Sequence, residues 1–308
     1  MIEDKILTIT TTILIIWIAL IMVLERIIPY RKGLPIFREG FWVDLVWYTI
    51  IQSYFLKIVI FDWIIVPIQQ SWDLSHINFI KAMPIWGQVL FFLITHDFYI
   101  YWFHRWQHAN KILWRTHEAH HSGKEVDFLQ GARSHAVEIL INQTIEFAPI
   151  ILLGADPSVI PIKALLDSMF GTFIHGNIDV KLGKWKYIFN SPELHLWHHA
   201  NYTEVFHANF STKFAIWDYL FRTVYDPDKK PENDNAKWGL YYDYPKDYFL
   251  QHAFSIKRFD EKKLLKYRWF RWYYNLRPNI LKLIKRLFFI KKQLDTEGVK
   301  KLQLTKNE

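Results

Sequence analysis

Three histidine clusters have the spacing of metal ligands: His104 with His108, His117 with His120 and His121, and His195 with His198 and His199. On a helix, residues at i, i+3 and i+4 fall on one face, so each cluster presents its imidazoles together. Eight imidazoles exceed what one tetrahedral ion takes and suit two metals sharing a site. Neutral imidazole binds iron, zinc, copper and nickel, so spacing alone does not name the metal. Two irons bridged by oxygen, each with several histidines, fit the count; such a pair activates O2 and attacks an unactivated C–H bond. Two zincs satisfy the same spacing. Chance scatter of fourteen histidines over 308 residues does not give two HxxHH copies and one HxxxH.

The elements that must position these rings are apolar. The chain is 51% hydrophobic and 18% aromatic, rich for a soluble domain. It has no cysteine, which excludes disulfides, thiolate zinc sites and iron–sulfur clusters. A net charge of +8 suits an anionic membrane surface or nucleic acid. The long apolar runs favour the membrane, and no nucleic-acid partner is expected. Residues 6–24 are uncharged and of spanning length. They lack a basic leader region and a cleavage site, and read as a retained helix. Further apolar segments run over 41–68, 84–103, 136–153 and 157–175, the last two split by a turn at Gly154-Ala155-Asp156-Pro157. Basic residues concentrate in 26–40, with only Lys81 in 69–83, so 26–40 is expected to be cytoplasmic. The third segment and the 136–175 hairpin then return every histidine cluster to that same face. The expected fold is all-α: an integral-membrane, multi-pass helical bundle of about four to five membrane segments under a cytosolic histidine-rich helical cap. Its organisation reads as N-terminal membrane helices over 1–83, a catalytic region over 84–225 and a basic C-terminal region over 226–308. Within the last, 263–293 suggests an amphipathic surface helix or pair broken at Pro278, followed by a polar tail over 294–308.

Other polar residues are candidates for the same centre. His175 follows the hairpin and reaches the cluster face, so it joins the ligand candidates. His135 heads the fourth segment and His207 follows the last cluster; each reads as a ligand or as support for one. His96 lies about 12 Å up the helix from His104 and suits interhelical hydrogen bonding instead. His76 and His252 are isolated and read as structural or solvated. Asp97, Glu138, Asp179 and Asp218 are candidates to accept the outer N–H of a ligating ring, which fixes its tautomer. Glu138, Asn142 and Glu146 form one polar stripe on an apolar helix. Such a stripe faces the bundle interior, as helix–helix hydrogen bonding or as support for a metal ligand.

The ordered series over residues 96–225 resembles the fatty acid hydroxylase/sterol desaturase superfamily. His96-Asp97-Phe98-Tyr99-Ile100-Tyr101-Trp102-Phe103-His104-Arg105 is similar to its first box, and His117-Glu118-Ala119-His120-His121 to its second. Arg133-Ser134-His135-Ala136-Val137-Glu138 resembles its Arg-x-His-Pro-x-Glu element, and His175 the lone histidine after the hairpin. Pro192-Glu193-Leu194-His195-Leu196-Trp197-His198-His199 resembles its last box, with Asn209-Phe210 and Ile216–Thr223 as the closing signature. Ala136 stands where the family often has Pro, Phe210-Ser211 replaces Tyr-Gly, Arg222 replaces Gly, and Gly171 stands where some members carry a second histidine. The resemblance implies a dinuclear site assigned as iron, O2 as co-substrate, electrons from a separate reductase or small carrier, and hydroxylation or desaturation of a lipid. Two other classes fit fewer features. A metal transporter or store needs ligands along a path through the bilayer, not at one face. A zinc hydrolase is suggested only by the local His117-Glu118-x-x-His121 match.

Overall fold

The computed structural model describes residues 2–72, 74, 77–227 and 238–276. His76, part of the Pro-containing stretch after 225, the break at Pro278 and the tail over 294–308 lie outside the described residues. The chain forms two compact units, Met1–Ile256 and Lys257–Glu308. In the second, the short helix Glu261–Leu264 is capped by the Asp260 carboxylate, which accepts the Lys262 N–H.

The first unit is helical; its described residues hold no strand beyond isolated bridges at Pro29–Ile178 and Ala200–Trp238. Helix α1 covers Ile2–Ile27, and α2 is a continuous helix over Val43–Ser71 that widens to π-type turns at Val43–Gln52 and Val59–Ile65. Both are long and apolar enough to cross a membrane. After the short α3 (Asn78–Lys81), α4 runs over Ile85–Ala109 and α5 over Lys111–His121. The Asn110 side chain ends one and starts the other, accepting the N–H groups of Ile112 and Leu113. Helices α6 (Ala136–Leu152) and α7 (Val159–His175) form the expected hairpin. Each has 17 residues, about 26 Å at helical rise, short of a full hydrocarbon crossing. The last histidine cluster lies on α8 (Pro192–His198), followed by α9 (Ile216–Leu220) and α10 (Tyr248–Ile256).

One apolar core joins α2, α4 and the α6–α7 hairpin through Ile60, Ile65, Phe92, Phe147 and Ile150. A separate one, around Val126, Leu196, Trp197, Val205 and Trp238, lies under the α8 cluster. Helix α4 leaves a row of large apolar residues exposed at every fourth position: Trp86, Leu90, Ile94, Phe98, Trp102 and Trp106. Its opposite face buries Asp97, Tyr101, His104 and Gln107.

Asp44, fully buried near the start of α2, ties that helix to the segment after α5. Its carboxylate takes a forked pair of bonds from Arg133, at 2.6 and 2.8 Å, and lies 2.7 Å from Arg38. Arg38 also bonds Asp127 at 2.6 Å, and Asp127 caps the turn that carries Gln130. Gln130 in turn donates to the carbonyl of His120. Removing one partner of such a buried array leaves uncompensated charge, at a cost of about 3–5 kcal/mol. Asp44→Ala is therefore expected to lower the thermal midpoint in detergent by far more than a typical surface substitution; an unchanged midpoint would contradict this role.

Candidate metal centre

Nine histidines converge beside the inner ends of α4 and α7. His104, His108, His117, His121 and His198 form one group, and His120, His175, His195 and His199 a second; within each, the candidate ligand atoms lie within 4.8 Å of one another. The groups abut, with the rings of His121 and His199 centred 4.7 Å apart. Helix geometry explains the division. In α5, His117 and His121 are four apart and serve one group, while His120 serves the other. In α8 the same rule sends His195 and His199 to the second group and His198 to the first. Residues at i+3 and i+4 differ by about 100° around the axis, so an HxxHH cluster contributes rings to both neighbouring groups.

The outer nitrogens fix the tautomers. The Nδ1 atoms of His104, His108 and His198 lie 2.7, 3.1 and 2.7 Å from the carbonyls of Phe210, Phe206 and Ala208. A carbonyl only accepts, so each Nδ1 carries the proton and each Nε2 keeps its lone pair. His117 Nδ1 donates to Glu138 at 3.0 Å. The Nε2 atoms of these four rings, and of His121, are buried and have no hydrogen-bond partner. In the second group, His175 Nδ1 donates to the Gly171 carbonyl at 2.8 Å. Its Nε2 then faces the Nε2 atoms of His120 and His195 at 3.1 and 3.0 Å. Nitrogens bound about 2.1 Å from one ion at near-right angles sit about 3 Å apart. Gly131 permits this approach, because a Cβ there would come within 2.8 Å of His175 Nδ1.

Burial, reinforced by neighbouring imidazoles, drives the pKa of His117, His120, His121, His195, His198 and His199 well below the ordinary value of 6.5. These rings are neutral at pH 7 and offer lone pairs. The donor set is all imidazole, divided five and four, and fits two borderline transition-metal ions.

Other candidates take different places. Glu138 meets His117, and Asn142 and Glu146 of the same stripe serve helix contacts, to Tyr99 and Lys163. Asp97 and Asp218 differ from expectation, for they hold backbone N–H groups, hydroxyls and an indole, and no imidazole. Asp97 accepts from Thr212, Lys213, Phe214 and Trp217. Asp218 accepts the N–H groups of Phe210 and Ser211 and the Thr223 hydroxyl. Asp218 fixes the end of the segment whose carbonyls hold His104, His108 and His198, and Asp97 the stretch that follows it, so their support is indirect. Asn209, at φ 57°, turns that segment, with its side chain bonded to Leu194 and Tyr225. Asp179 lies beside the Pro29–Ile178 bridge, its N–H bonded to Ile28. His135 caps α6 through Val137, bonds Ser255 and stacks on His252, away from both groups. His207 is exposed beside the centre. His96 bonds Lys163, whose ammonium fills a nest formed with Glu146 and Asp167. Arg222 sits at φ 57°, a left-handed position suited to the glycine it replaces.

A cavity of about 460 Å3 reaches the centre. Buried His121, His198 and His199 form its floor, Trp114 and Leu240 part of its wall, and exposed Lys111, Phe206, His207 and Tyr241 its rim. Gly239, at φ 74°, lets the 238–241 segment close on the backbone of Gly123.

Glu138→Ala removes the partner that orients His117. Loss of such a partner costs roughly 10–100-fold in metal affinity. Chelator competition should show that loss, with Glu138→Gln retaining more affinity because its amide oxygen still accepts the bond. Equal retention by all three proteins would contradict the assignment.

Comparison with known proteins agrees with this geometry. Residues 89–223 match the family model for fatty acid hydroxylase. An ornithine lipid hydroxylase of Rhizobium tropici is 26% identical over 80% of this chain and 76% of its own length. An alkylglycerol monooxygenase of Danio rerio is 31% identical over 55% of this chain, and a methylsterol monooxygenase of Rattus norvegicus 26% identical over 46%. The chain covers only 36% and 50% of those two relatives. No solved structure matches it. The chain belongs to the fatty acid hydroxylase/sterol desaturase superfamily.

Proposed function

We propose that this protein is an integral-membrane di-iron oxidoreductase that uses O2 to hydroxylate or desaturate a lipid C–H bond. The observation that carries the reading is the division of nine imidazoles into two adjoining groups, five of them held by an outer partner so that Nε2 faces the group. His104, His108, His117, His121 and His198 would hold one iron, and His120, His175, His195 and His199 the other. Bound iron supplies the oxygen activation and C–H chemistry, which no side chain here provides. The chain's residues hold and orient. Phe206, Ala208 and Phe210 keep three rings in one tautomer through their carbonyls, and Glu138 keeps a fourth. The apolar wall of the cavity, at Trp114 and Leu240, excludes water and accepts a hydrocarbon segment. The relatives support a lipid substrate, since their names specify ornithine lipids, alkylglycerols and methylsterols.

Helices α1 and α2 cross the bilayer, α4 lies against lipid along its exposed row, and α6–α7 enter as a hairpin, giving a four- to five-segment bundle. The basic loop over 26–40 supports a cytoplasmic side for the histidine cap. Electrons come from a separate reductase or small carrier.

The test is lipid profiling under 18O2 of membranes containing the protein, beside His120→Ala and His198→Ala. The wild type should yield a lipid carrying one 18O atom, or lacking two hydrogens, and both variants should lose it. Identical profiles from wild type and variants, in membranes with an active reductase, would overturn the proposal.

A further inference from the structure

The cap exposes an apolar ledge made from two short elements near the centre. The turn Gly183–Tyr187 and the residue after it leave Trp185, Tyr187 and Ile188 exposed, and α9 leaves Ile216 and Leu220 exposed. The elements form one surface: the Ile216 N–H bonds the Ile188 carbonyl, and the rings of Tyr187 and Tyr219 are centred 4.9 Å apart. The ledge continues the exposed row of α4. Trp217 packs on Phe98 at 5.0 Å between ring centres, and Phe221 on Trp102 at 4.9 Å. The row itself runs from Trp86 to Trp106, about 30 Å along the helix axis, the thickness of a bilayer's hydrocarbon core. Tryptophan at both ends matches the preference of that side chain for the two membrane interfaces.

Cations edge the ledge on the same level. Lys184 and Arg222 are exposed beside it, and the Arg105 guanidinium lies 5.3 Å from the Trp102 ring centre. Lysine and arginine reach from apolar surroundings toward headgroups in this way, and each contributes attraction to an anionic lipid surface. The carboxylate at its edge, Asp226, is paired with Lys186 and bonded to Tyr219. A large apolar surface whose unpaired fringe is positive suits a bilayer better than a second protein, which would bring its own polar rim.

We infer that the ledge of Trp185, Tyr187, Ile188, Ile216 and Leu220 is embedded in the interface of an anionic bilayer, so that the cap is partly immersed. This rests on the reading of α4 as lipid-facing. Immersion of α9 bears on the centre, because Asp218 on that helix holds the N–H of Phe210, whose carbonyl orients His104.

The sequence has no cysteine, so single labels are clean. Ile94→Cys, Ile188→Cys, Leu220→Cys and Tyr241→Cys would each carry an environment-sensitive fluorophore, in vesicles of phosphatidylcholine and phosphatidylglycerol. The labels at 94, 188 and 220 should be quenched by nitroxide lipids and not by aqueous iodide, with 188 and 220 responding best to shallow nitroxides. The label at 241, on the exposed cavity rim, should respond to iodide. Lys184→Glu with Arg222→Glu should reduce the lipid quenching at 220 as phosphatidylglycerol is raised. Iodide quenching at 188 and 220 with lipid quenching at 94 would overturn the ledge and leave α4 in the membrane. Iodide quenching at 94 would overturn the reading of α4. Shielding of 188 and 220 from both quenchers would mean that protein covers the ledge, and would also overturn the inference.

Discussion

The lone pairs of buried, neutral imidazoles must all point inward, and much of the structure serves that requirement. An imidazole offers its Nε2 only when the proton is on Nδ1, and only an acceptor on the outer side holds it there. Five rings have such an acceptor: three loop carbonyls, the Glu138 carboxylate and the Gly171 carbonyl. Burial removes the competing protonated state, since charging a ring among eight others in a dry site is doubly unfavourable.

The loop from Phe206 to Phe210 supplies three of the five acceptors from alternate residues. Phe206 is helical in backbone conformation and Asn209 left-handed, so the loop is folded, and in that shape it reaches rings on both α4 and α8. Its shape is enforced from outside. Asn209 takes a left-handed conformation and is held through both ends of its amide, while Asp218 and Asp97 gather the N–H groups of the residues that follow it. The ion array around Asp44 does the equivalent for the turn after α5, carrying order from the start of α2 to the carbonyl of His120. Two carboxylate systems, one on each flank, thus convert helix packing into ring orientation.

Much of this was legible in the residues. The i, i+3, i+4 spacing places rings on a face before any fold is known, and the hairpin break at Gly154-Ala155-Asp156-Pro157 appears where the turn is. The assignment of rings to groups was not legible, because it depends on how α5 and α8 are rotated against each other. The acceptors at 206, 208 and 210 were invisible for a different reason: every residue has a carbonyl, and only tertiary placement selects three of them. Asp97 and Asp218 were read as ring partners because a carboxylate accepts from imidazole and backbone equally well. Geometry gives them to the backbone and side chains of 210–223 instead. His135, close to the clusters in sequence, became a helix cap because α6 needed an acceptor at its first turn. The count of membrane segments was also only partly visible. Apolar composition marks five segments, and among the described residues α1 and α2 have both the length and the apolar character to cross, while α4 carries polar groups such as Asp97 and His104 on its buried face.

The central claim is that one protein holds two metal ions in two distinguishable histidine groups. Metal content after anaerobic loading with ferrous iron tests it most directly, comparing the wild type with His198→Ala and His120→Ala, each followed by Mössbauer spectroscopy. Two irons per chain with a coupled signal are expected in the wild type, with one iron and no coupling in each variant, from opposite groups. A single iron in the wild type, or two retained irons in both variants, would contradict the claim.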